Sequence, residues 1–176
     1  MGKEASSLGG VRGSDGRTAT TREDSMSEPA DLGSMCDEMC DRLLQQPLSP
    51  MGLLNYAEQV ASALVAWGLG REDLLPLLEG FPQLERIRAT VEDAGQRELV
   101  VQHQQQWLQL KLALAVTDQA GDTDQAARKR HALRQLASQL LRPWLTRGLR
   151  SQDDVRYYQE FLQAIVSYTH STSRER

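Results

Sequence analysis

The run Met35-Cys36-Asp37-Glu38-Met39-Cys40-Asp41 sets two thiols four residues apart, each preceded by a thioether. On a helix that spacing brings both thiols to one face. Soft ligands so placed suit a thiophilic ion such as Cu(I) if another segment completes the set. A closed zinc site needs four protein ligands, and Cys36 and Cys40 are the only 2 cysteines of the chain. The favoured reading is that Met and Cys serve as adaptable apolar side chains on a docking helix, so neither a metal nor a cofactor is expected. His103, His131 and His170 lie far apart, with no carboxylate at ligand spacing on the same helix turn. No Gly-rich phosphate loop, nucleophile elbow or triad pattern occurs. The expectation is therefore a protein without enzyme activity.

Charge gives the stronger functional signal. Residues 125–151 carry 7 basic and 0 acidic side chains, whereas residues 36–100 carry 5 basic and 11 acidic ones. The basic set is Arg128, Lys129, Arg130, Arg134, Arg142, Arg147 and Arg150. On a helical wheel, Leu133, Leu136, Leu140 and Trp144 point one way, and Arg128, His131, Gln135, Ser138 and Arg142 point the other, with Arg134 beside them. Lys129 and Arg130 fall nearer the apolar sector. Such a strip can hold an acidic protein partner or the phosphates of a nucleic acid, or it can face the acidic stretch inside the same bundle. No recognition-helix motif accompanies it. The whole chain has a net charge of −4 and a pI near 5.4, so it has no global attraction for polyanions.

Two further groups bear on contacts. Gln96, Gln102, Gln104, Gln105, Gln106 and Gln109 crowd one segment and could hydrogen-bond across a helix contact or serve as ordinary surface helix formers. Trp67, Trp107 and Trp144 each fall on an apolar stripe and are expected in the core.

The elements that must position these residues are helical. Leu, Ala, Gln, Glu and Arg dominate and aromatics are only 5%, a balance that favours helices over strands. A first helix is expected from Met35 to Gln46, ended by Pro47. Ser49 and Pro50 then cap and open a second helix, closed by Gly68 and Gly70. A short turn spans Glu72 to Glu79. Beyond Pro82, Leu84, Ile87, Val91 and Ala94 form a helical segment, Gly95 is either a break or a tolerated weak point, and helical composition resumes from Glu98 to Asp118; the favoured reading is a long helix that can bend. The Gly121–Asp124 cluster opens the basic helix, which Pro143 should kink and Gly148 should stop. Ser151 and Asp154 form a capping box for the last helix.

The expectation is an all-α bundle of about five or six helices behind a disordered N-terminal tail. Residues 1–34 form the tail, 35–170 the bundle and 171–176 a frayed end. No stretch is long and apolar enough to span a bilayer, so no membrane partner and a cytoplasmic location are expected. The favoured function is a helical protein-interaction module, such as an adaptor, an assembly factor or a small subunit of a larger complex, with self-association also plausible. A nucleic-acid-associated subunit is the alternative, and a ligand- or metal-binding bundle the third.

Overall fold

The computed structural model describes residues 31–45, 49–118 and 121–174. The expected tail therefore falls largely outside the described residues, as does Pro47. Helix α1 (Leu32–Gln45) starts three residues before Met35, because Asp31 accepts the Gly33 N–H and Leu32 and Gly33 are already buried. Helix α2 (Pro50–Ala66) opens as its sequence dictates, with Ser49 Oγ accepting the Gly52 N–H at 3.0 Å. It closes at Gly68 (φ 85°), where the Gly68 and Leu69 N–H groups reach back to the Val65 and Leu64 carbonyls. The short helix α3 (Arg71–Leu74) continues as a 3₁₀ turn through Leu78.

The expected long helix through Gly95 is instead two helices, α4 (Leu84–Asp93) and α5 (Val100–Thr117). Gly95 adopts φ 76°, and the Gln96 N–H bonds the Val91 carbonyl at 3.1 Å, which satisfies the end of α4. The chain then folds back so that α4 packs on α5. Burial of Leu84, Val91, Val100, Leu108 and Leu112 accompanies this reversal and would be lost on a straight helix.

The basic segment forms one rod: α6 (Asp124–Gln135), a π-helical stretch (Leu136–Leu141) and α7 (Arg142–Arg147). Thr123 Oγ1 caps its start, accepting the Ala126 N–H at 3.1 Å. Pro143 does not end the rod. Within a regular α-helix its ring would press on the carbonyl four residues back. Just before the proline the turn widens, with the Arg142 N–H bonding the Ala137 carbonyl five residues back, and the helix passes through.

Helix α8 (Gln152–Arg174) begins on the expected capping box, Ser151 donating its N–H to Asp154 at 2.8 Å and accepting the Asp154 N–H at 3.2 Å. It continues to Arg174, through most of the segment expected to fray.

Helix α2 shares its most extensive interface with α8, and α1 lies on the π stretch. The interior gathers Leu133, Leu136, Leu140 and Trp144, all buried as their spacing implies. Trp144 meets Tyr158 and Phe161 edge-on at 5.4 and 5.2 Å between ring centroids. Burial of leucines of this kind contributes about 1.5–3 kcal/mol each. Among the described residues there is no strand and no helix long and apolar enough to cross a membrane.

Candidate interaction face

Elements that fix the strip also divide it. Lys129 Nζ donates to Asp73 Oδ2 at 2.9 Å and Oδ1 at 3.2 Å, tying α6 to α3. Arg130 donates to the Gly121 carbonyl across the loop that precedes α6. The Arg147 guanidinium lies beside the Cys40 thiol of α1. Lys129 and Arg130 are thus held within the fold, Arg147 is exposed beside α1, and at Lys129 the basic helix meets the acidic stretch.

Arg128, Arg134, Arg142 and Arg150 remain exposed. Among the described residues no carboxylate lies within salt-bridge distance of any of them. Ser138 shares their outward direction. Gln135 does not: it is half-buried, and a Cβ at Gly33 would stand only 3.1 Å from its Nε2. His131 is exposed, its ring centroid 5.7 Å from that of Trp67.

The glutamine run divides: Gln104, Gln105 and Gln109 make contacts within the fold, while Gln96, Gln102 and Gln106 are exposed. Gln104 is buried, donating to the Leu84 carbonyl at 3.0 Å and accepting from Gln152 at 2.7 Å. Gln105 donates to the Leu145 and Thr146 carbonyls, and Gln109 reaches Thr146 Oγ1 at 3.4 Å. Thr146 Oγ1 in turn donates to the Arg142 carbonyl at 2.8 Å. The outer faces of α5 and α7 therefore adjoin.

On another side of α5, roughly 140–180° around the helix from Gln105, stand Leu110 and Leu114, 51% and 50% exposed, with Leu114 near Pro76 and Glu79. They are the residues that sequence reading missed. The signal was present: Leu108, Leu110, Leu112 and Leu114 alternate, and a helix cannot turn all four inward. Leu108 and Leu112 went to the core and the other two to the surface.

The sulfur cluster belongs to the core. Cys36 and Cys40 are both buried, and burial pushes the Cys36 thiol up to about 12. Burial also raises Cys40, against the opposing pull of Arg147. Among the described residues no third His, Cys, Asp or Glu joins them. The histidines occupy separate surroundings: His103 lines an open groove of about 420 Å³ with Ile87, Val91 and Ala94, while His170 sits near Arg71 and Leu69. Trp144 is in the core, whereas Trp67 and Trp107 are half-buried, with Trp107 Nε1 donating to the Gly80 carbonyl at 2.8 Å.

Fold and face together define an all-α bundle with an outward row of arginines on α6 and α7. A scan against protein-family models gives no match, and searches of curated proteins and of solved structures give none either.

Proposed function

We propose that the protein is a non-enzymatic interaction module that docks an acidic protein segment on the exposed arginines of α6 and α7. One observation carries this reading: Arg128, Arg134 and Arg142 stand exposed, with no carboxylate against them among the described residues. An acidic segment would match that charge. Nucleic acid would use the same arginines through its phosphates, but the net charge of −4 on the whole chain opposes a long polyanion more than a short acidic segment.

The test uses two variants of the full chain, Arg128→Gln with Arg134→Gln and Arg142→Gln, and Leu110→Ser with Leu114→Ser. Circular dichroism should find both folded. The arginine variant should lose an acidic protein in affinity purification from the native host, the leucine variant, altered on another side of α5, should keep it, and neither should change weak binding to a duplex oligonucleotide. Sub-micromolar oligonucleotide binding that falls steeply with salt, lost in the arginine variant and kept in the leucine variant, would overturn the reading.

A further inference from the structure

The widened turn before Pro143 changes which charges share a face. In a regular α-helix the eight residues from Arg134 to Arg142 would leave these two side chains about 80° apart around the axis. Here the row Ala132, Leu136, Leu140, Trp144 and the row Leu133, Ala137, Leu141, Leu145 both stay buried, so residues four apart keep one direction across the π stretch. The adjoining row Arg134, Ser138, Arg142 accordingly runs straight along the outside of the rod, all three side chains exposed. The two arginines start at most about 12 Å apart along the axis, with Ser138 midway. Arg128 stands outside this file, about 120° around α6 from Arg134.

The file is unsatisfied as it stands. Among the described residues no carboxylate lies within salt-bridge distance of either guanidinium. Ser138 Oγ reaches the Gln135 carbonyl only at 3.4 Å, longer than an ordinary O–H···O bond, so its hydroxyl is readily redirected outward. A carboxylate has one charge and two oxygens, and a single guanidinium fork satisfies it. A phosphoryl group carries about −1.5 to −2 charge and three acceptor oxygens, enough for both forks and the hydroxyl at once. The net charge of −4 on the chain opposes a polymer of phosphates more than one such group on a protein segment.

We propose that Arg134, Ser138 and Arg142 form a clamp for a phosphoryl group carried on a protein segment, so that a phosphorylated partner binds in preference to one that offers only carboxylates. This rests on the function proposed above for the protein-borne source of the ligand; the clamp itself stands on the aligned row and its missing counter-charge. Arg134 and Arg142 hold the phosphoryl oxygens from either side, and Ser138 donates from below.

The test titrates the full chain with three short peptides of one Gly/Ala sequence that carry phosphoserine, glutamate or serine at the centre, binding being read from amide chemical shifts at about 0.15 M salt. The phosphoserine peptide should bind about fivefold more tightly than the glutamate peptide, the worth of one added exposed ion pair, and the serine peptide should not bind. Arg134→Gln and Arg142→Gln should each remove the preference, as should Ser138→Glu, which sets a carboxylate between the arginines. Arg128→Gln should leave it intact. Circular dichroism should find all four variants folded, since the altered side chains are exposed. A preference of undiminished size in Arg134→Gln or Arg142→Gln would overturn the proposal, and inorganic phosphate binding as tightly as the phosphopeptide would overturn the protein-borne source. Equal binding of the phosphoserine and glutamate peptides, both weakened by the arginine variants, would overturn the clamp and leave the acidic-segment reading standing. Phosphoserine binding with none to glutamate, and no acidic protein recovered from the host, would keep the clamp and overturn that reading.

Discussion

Substitution of Gly148 by alanine sets two effects of opposite sign against each other. Gly148 has φ −97°, a conformation open to any residue, so alanine carries no backbone strain there. By restricting the unfolded chain, alanine would on that ground stabilise the protein by about 0.4–1 kcal/mol. Sterics oppose this. A Cβ at residue 148 would stand 2.3 Å from Trp144 Cδ1, 2.8 Å from the Trp144 carbonyl oxygen and 2.9 Å from the indole Nε1. The indole cannot easily yield, because Tyr158 and Phe161 hold it edge-on from within the core. Overpacking of this kind costs about 1–3 kcal/mol, and the closeness of the contact puts the cost towards the upper end. We expect Gly148→Ala to lose about 1–2 kcal/mol net in urea unfolding, with Tm lowered by roughly 2–8 °C. A double-mutant cycle isolates the cause: in a Trp144→Ala background the ring is gone, and the added penalty of Gly148→Ala should shrink to the part that comes from the carbonyl of residue 144. A Gly148→Ala protein as stable as the wild type, or an equal loss in both backgrounds, would refute the reasoning.

Three further outcomes follow from the same geometry. Leu136→Ala and Leu140→Ala should each cost about 2–5 kcal/mol in equilibrium unfolding, since both side chains are buried on the rod's core face. Gln104→Leu should cost about 1–3 kcal/mol, because the Leu84 carbonyl and Gln152 would lose their partner; proton exchange at Gln152 should report the same loss. Cys36 has its pKa raised by burial from 9.0 to about 12. The folded state keeps a proton that the unfolded state releases, so the stability from this group is fully present below pH 9 and declines as pH rises towards 12. Chemical unfolding across that window should lose up to about 1 kcal/mol per pH unit, and Cys36→Ala should flatten the slope.

Much of the fold was legible in short signals. Ser49 with Pro50, Thr123, and Ser151 with Asp154 each make the cap that their residue types require. Gly95 was harder, because a glycine between two helix-forming segments is compatible with either a bend or a reversal. What decides is the burial gained when α4 folds back on α5, a long-range term that local propensity does not contain. The π stretch was legible in principle. Ala132, Leu136, Leu140, Trp144 and Leu133, Ala137, Leu141, Leu145 form two buried rows at a strict spacing of four. In a regular α-helix each such step rotates a row by about 40°. Only a turn with more residues per revolution keeps both rows on the core over this length. The wheel that placed Gln135 on the open face also omitted α1, whose first turn covers that side chain. Lys129 and Arg130 meet partners that come from α3 and from the preceding loop, and no periodicity within α6 could reveal them.

On the proposed reading, the arginines would set how fast a partner arrives more than how long it stays. An exposed arginine–carboxylate pair contributes only about 0–1 kcal/mol, since solvent and salt screen it. Three such pairs at Arg128, Arg134 and Arg142 would steer encounter but would not hold a partner for long. Arginine substitutions should therefore act mainly on the association rate and its salt dependence, with the dissociation rate nearly unchanged. A nucleic acid would give a different pattern, because release of its condensed counterions makes the equilibrium affinity itself fall steeply with salt. The rate constants of the arginine variant thus discriminate the chemistry of the partner before its identity is known.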